Sequence, residues 1–146
     1  MVVVETFLKG SDGEFVPLEA CRTQPNDLDY IEGAIRVSID GLPIIGLEEW
    51  DYVDQLWCYV ADMVTQLTAT GYAETYFPDQ PIKLLFRSAG KRVLVAAEIG
   101  HEVRQASTST VDFLEAVKTA GTRFFDRMFE LAPGNSYAEA RRELSN

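Results

Sequence analysis

His101 is the single histidine of the chain and stands between Gly100 and Glu102. A histidine beside a carboxylate can serve as a general base. The nearest nucleophiles in sequence are Ser107, Thr108 and Ser109. No GxSxG surrounds them, so nothing places a hydroxyl on a strained elbow above a sheet. The pattern fits a solvated histidine at a strand end, and a small hydrolase-like enzyme using His101 is an alternative reading. Gly90-Lys91-Arg92 lacks the spaced glycines that cradle phosphate. No GxGxxG follows a strand pattern, so a dinucleotide site has no support. Asp27, Asp29 and Glu32 lack the spacing and the glycine of a calcium loop. Cys21 and Cys58 are the only cysteines and form no CxxC, which points to packed thiols. No catalytic residue, metal or cofactor is expected.

The acids are distributed unevenly. Residues 1–54 hold 12 acidic and 3 basic side chains, net −9, whereas residues 55–146 hold 11 and 10, net −1. The density peaks at Asp27, Asp29 and Glu32, and again at Glu48, Glu49, Asp51 and Asp54. Tyr30, Trp50 and Tyr52 interleave with them. Carboxylates steer a basic partner, and tyrosines supply contact energy. The expected partner-binding set is therefore Asp27, Asp29, Tyr30, Glu32, Glu48, Glu49, Asp51, Tyr52 and Asp54. The competing reading is a solvated face whose acids favour the start of a helix.

These residues need a scaffold, and 146 residues suffice for one domain with a real core. The formal charge of −10 argues against nucleic acid, whose phosphates need clustered Lys and Arg. It also argues against anionic membrane surfaces. No apolar run approaches the ~18 residues of a membrane helix. Met1–Val4 is apolar but lacks a basic flank, so no signal peptide is expected and the chain reads as cytoplasmic.

The hydropathy pattern opens with a hairpin, Val2–Leu8 and Glu14–Arg22 around the turn residues Lys9–Gly13. Ile35, Val37 and Ile39 alternate with polar residues as in a half-buried strand. Asp40-Gly41 is a hairpin turn, and Pro43 in Leu42–Gly46 suggests an edge. A helix is expected over Glu48–Thr70, with Trp50, Val53, Trp57, Val60, Val64 and Leu67 inward. On that wheel Asp51 points outward. Tyr52, Leu56, Tyr59 and Met63 form a second stripe, which implies a helix wedged between the sheet and the second helix, a partner contact being the alternative. Tyr72–Phe77, Ile82–Ser88, Arg92–Ile99 and Glu102–Ala106 read as further strands. Ser109 and Asp112 stand at capping-box-like spacing before a helix over Val111–Leu131. Gly121 on its buried stripe suggests close approach to the sheet. Ser136 and Glu139 can cap a short terminal helix reaching Leu144.

The expected fold is a single α+β domain, residues 1–146. It has a mostly antiparallel sheet, two main helices packed on one face and a short C-terminal helix. Small acidic cytosolic α+β domains without catalytic residues are a profile common among bacterial toxin-immunity proteins. The chain resembles them in profile, without a family motif. That resemblance implies a non-catalytic protein-binding domain that inhibits a basic toxin or nuclease. A secretion-type chaperone is the alternative of the same class and implies a homodimer and an exposed apolar strip.

Overall fold

The computed structural model describes residues 1–145. They form an α+β fold of antiparallel strands and three helices, as the pattern predicts, but with two sheets in place of the one expected. The strands divide between two sheets. The first contains β1 (Val2–Lys9), β2 (Phe15–Pro17), β3 (Glu32–Ile39) and β4 (Leu42–Ile45) in the order β2-β1-β3-β4. A two-residue β5 (Asp51–Tyr52) also pairs with β3. The second sheet is a meander of β6 (Tyr72–Tyr76), β7 (Ile82–Ala89), β8 (Arg92–Ile99) and β9 (Glu102–Ser109). Pro43 does lie on an outer strand, β4, where a missing backbone donor costs little. Asp40 and Gly41, both at positive φ, make the turn before it.

The helix α1 (Val53–Thr70) follows the first sheet and α2 (Thr110–Leu131) follows the second. A short α3 (Ala138–Ser145) ends the described chain. Gly71, at φ 80°, closes α1 by donating its N–H to Leu67 O at 2.9 Å. Ser109 Oγ caps α2 by accepting the Asp112 N–H at 3.3 Å. No helix among the described residues is long and apolar enough to cross a membrane.

Each main helix reaches across to the other sheet. α1 packs on β6 and β3, and α2 packs on β1, β8 and β9. One continuous core results, drawing Ile35, Ile39, Leu84, Val95, Trp57 and Phe124 together. Trp57 and Phe124 are fully buried, and their rings stack 6.2 Å apart. The Trp57 indole N–H is satisfied by Thr6 Oγ1 at 3.1 Å, so α1 is pinned to β1 by a buried hydrogen bond.

Two local expectations are corrected. The helix expected from Glu48 begins only at Val53. Leu47–Glu49 form a single 3-10 turn, and Asp51–Tyr52 are extended. The Glu32–Tyr52 and Gly33–Asp51 pairing to β3, with Val53 N–H on Ile31 O at 2.8 Å, takes the backbone groups a helix would have used. Gly121 approaches α1 and α3, not a sheet. A methyl group there would lie 2.8 Å from Trp57 Cζ3 and 2.5 Å from Leu144 Cδ1. Of the second stripe of α1, Leu56 and Met63 are buried and Tyr59 stays exposed. The helix that packs along α1 is α3 and not the expected α2, with Thr65 Oγ1 donating to Glu143 Oε2 at 3.0 Å.

Candidate functional site

The residues of the acidic third separate into two sets. Glu49, Asp51 and Asp54 are buried. Glu49 Oε1 accepts the Gly46 N–H at 2.9 Å and the Arg104 guanidinium at 3.0 Å, which ties the turn before β5 to β9. Asp51 points inward, not outward, because β5 is extended and not helical. Its Oδ2 accepts the Asp79 N–H at 3.1 Å and the Gln80 N–H at 2.8 Å, and its Oδ1 accepts the Tyr52 N–H at 2.7 Å. The Gln80 side-chain amide also donates to Trp50 O. Asp54 Oδ2 accepts the Tyr137 hydroxyl at 2.9 Å, and Asp54 Oδ1 is buried with no partner at hydrogen-bond distance among the described residues. Asn135 completes this network by donating to Tyr137 Oη at 3.0 Å and to Leu28 O at 2.8 Å. Burial raises the Asp54 carboxyl above its ordinary value, against the lowering effect of the Tyr137 hydrogen bond. Burial likewise pushes the Cys58 thiol up to about 11, with the Asp54 charge adding to it, so this thiol is not an activated nucleophile.

Asp27, Asp29, Tyr30, Glu32 and Glu48 are exposed, and Tyr52 is half-buried. The structure assembles Tyr30 and Tyr52 into a ring pair, with centroids 5.2 Å apart and planes tilted by 54°. Tyr30 is 56% exposed on this pair. Glu32 lies opposite Tyr52 in the β3–β5 pairing. Burial raises the Tyr52 phenol, and the charges of Asp79 and Glu32 push it further in the same direction. The tyrosine pair is therefore edged by carboxylates from β3 and from the β6–β7 loop. Beside it lies an open hollow of about 790 Å3 between the β1–β2 hairpin and residues 20–27, to which Asp27, Tyr30 and Glu32 all contribute. Asp27 Oδ1 accepts the Asp29 N–H at 2.9 Å and so shapes this rim.

Sequence reasoning missed Asp79. It comes from a Pro78-Asp79-Gln80-Pro81 loop distant in sequence, which the Asp51 carboxylate and the Gln80–Trp50 hydrogen bond bring to β5. It also missed Lys9, whose ammonium sits 3.6 Å from the Trp50 ring centroid and covers that aromatic. His101 is exposed on the turn between β8 and β9. Ser107 Oγ accepts Arg92 Nε at 3.0 Å, and Ser109 Oγ is the α2 cap. Neither hydroxyl is paired with the histidine. Groups of three or more metal-ligating side chains do not occur among the described residues. No protein-family model, curated protein or solved structure matches the chain.

Proposed function

We propose that this chain is a non-catalytic, cytoplasmic protein-binding domain that captures a basic protein. An immunity-type inhibitor of a basic bacterial toxin or nuclease is the form that best suits its acidity and size. The observation that carries this reading is Tyr30, largely exposed and tilted against Tyr52, with Glu32 and Asp79 near the pair and Asp27 lining the hollow beside it. A Lys or Arg side chain laid on such a ring gains cation–π and ionic attraction together. The surrounding acids raise the encounter rate with a positively charged surface.

Binding kinetics test this. The partner is captured from the native host and identified. Its association is then measured against the wild-type chain and against the exposed-site variants Tyr30→Ala, Asp27→Lys/Asp29→Lys/Glu32→Lys and Glu48→Lys. The expected result is a basic partner whose association slows as salt rises above about 0.1 M. The triple reversal should slow it further, and Tyr30→Ala should act mainly on dissociation. A partner without basic character, or an association rate indifferent to both salt and the triple reversal, overturns the proposal. Reversals at Glu49 or Asp51 are unsuitable here, since both carboxylates hold the fold together.

A secretion-type chaperone is the second reading. The exposed apolar side chains of the second sheet, Tyr76 and Val103, favour it. It predicts capture of an unfolded segment through that sheet and not through Tyr30.

A further inference from the structure

The face of the second sheet turned away from the core has an order that the core does not explain. Its rows follow from the strand register. One runs Tyr76, Lys83, Glu98, Val103 across β6 to β9. The next runs Glu74, Leu85, Ala96, Gln105. The third runs Tyr72, Arg87, Leu94, Ser107. Leu85 and Ala96 are only 7% and 6% exposed and stand outside the main core cluster. Tyr76 and Val103 flank them at 63% and 57%.

We infer that this face is a homodimer interface in which Lys83 and Tyr76 of one copy meet Glu98 and Val103 of the other, over a floor made by Leu85 and Ala96.

The reason is self-complementarity under one symmetry operation. Take a twofold axis that runs along the strands, between β7 and β8, in the plane of contact. It lays β7 over the second copy's β8, and β6 over its β9. Residues of one row then face residues of the same row in reverse order. Lys83, which pairs with Glu74 of its own chain at 2.6 Å, also comes over Glu98 of the second copy, a cation on an anion, and does so twice. Leu85 and Ala96, already buried in the single chain, form the floor between these contacts. Tyr76 comes over Val103, so the two most exposed apolar groups of the face cover each other. An axis across the strands would instead lay β7 on β7 and bring Arg87 over Lys83, which is repulsive. The pattern therefore selects one operator, as an isologous contact requires. Aligned sheets pack about −30° apart, and that rotation disturbs the central rows least.

Charge supports the same occupant. The chain carries −10, so two copies repel each other over most orientations. The three rows hold two cations, Lys83 and Arg87, and two anions, Glu74 and Glu98. With Arg92, whose row Ala89, Arg92, Ser109 lies on the same side, the face carries +1, so two copies meet here with little of the repulsion that the −10 of the whole chain imposes elsewhere. Three strands of eight residues and one of five, about 4.8 Å apart, give a footprint of about 500 Å2 per copy. The total of about 1,000 Å2 is at the lower bound for a specific interface, so the dimer is reversible.

Sedimentation equilibrium on the whole chain tests the inference, together with cross-linking. The expected result is a concentration-dependent dimer at about 100 µM. Ala96→Glu and Val103→Glu should each raise its dissociation constant about tenfold or more. Thermal melting confirms that each variant folds. Val103 is solvent-exposed in the single chain, so Val103→Glu carries the test if Ala96→Glu disturbs folding. Under mild oxidation, a Tyr76→Cys chain mixed with a Val103→Cys chain should form a covalent heterodimer, while either alone should not. A monomer at all these concentrations overturns the inference. So does a dimer indifferent to both glutamates, or one that cross-links Tyr76→Cys to itself as readily as to Val103→Cys.

Discussion

Asp51 holds Gln80 in place: its Oδ2 accepts the Gln80 backbone N–H at 2.8 Å, from a strand end to a loop 29 residues away. The same oxygen takes the Asp79 N–H, and the carboxylate is 2% exposed. Through it β5 of the first sheet is joined to the loop before β7 of the second, which brings the Asp79 charge near Tyr52. Removing the carboxylate strands buried amide donors. Asp51→Ala should therefore lower unfolding stability by about 3 kcal/mol, and Asp51→Asn by less, because one acceptor survives. Urea titration of both variants checks this. An Asp51→Ala loss below about 1 kcal/mol would mean that the loop is held by other contacts.

Gly121 and Trp57 touch closely enough that a methyl group has no room. Alanine is the better helix former by about 1 kcal/mol, and on propensity alone Gly121→Ala would stabilise α2. Overpacking against the rigid indole opposes it. The net expected outcome is a loss of about 1–2 kcal/mol, measured by urea melts. Gly121→Ala should be better tolerated with Leu144→Ala, which removes the other nearby atom. A stabilised single variant would show that α1 and α2 separate freely.

The stacked pair at the centre sets the largest packing effect. Trp57→Ala and Phe124→Ala should each cost about 3–5 kcal/mol, the range for large aromatics lost from a closed core. Trp57→Ala adds the orphaned Thr6 hydroxyl and should be the worse of the two. Equal losses in denaturant titrations would assign the indole hydrogen bond no net worth.

Asp54 predicts a pH dependence with a definite sign. Its folded-state carboxyl is raised from 3.8, chiefly by burial. The folded state therefore holds this proton more tightly than the unfolded one. The stability it contributes is fully present below 3.8 and is lost as pH rises through the raised folded value. Other acids titrate in the same region, so the informative quantity is the stability difference between wild type and Asp54→Asn, followed by urea titration from acid to neutral pH. Wild type should lose ground to the variant as pH rises. A constant difference would mean that burial does not perturb Asp54.

His101→Ala should change stability by less than about 0.5 kcal/mol, as for other exposed turn positions, and should leave partner binding intact. Loss of biological activity by a fully folded His101→Ala chain, read by binding assay and circular dichroism together, would instead support the hydrolase-like alternative.

Elements whose pattern is set by local chemistry were legible from the chain alone. The alternation of Ile35, Val37 and Ile39 defines a strand because side chains of a strand point to opposite faces. Asp40-Gly41 defines its turn because both residues take positive φ there. Ser109 defines the start of α2 because its hydroxyl can satisfy the Asp112 amide three residues on. The exposed acids Asp27, Asp29, Glu32 and Glu48 were legible for the same reason, since charge without a partner stays in water. The tertiary structure decided the rest. Glu49 and Asp51 look like helix-start acids in sequence, yet Arg104 and the Asp79–Gln80 amides, all remote along the chain, draw both carboxylates inward. A buried carboxylate is stabilised by donors that only the fold delivers, and no local pattern encodes which donors those are. The division of nine strands between two sheets belongs to the same class. Strand pairing is a non-local choice, made where α1 and α2 each cross to the other sheet and close one core over Trp57 and Phe124.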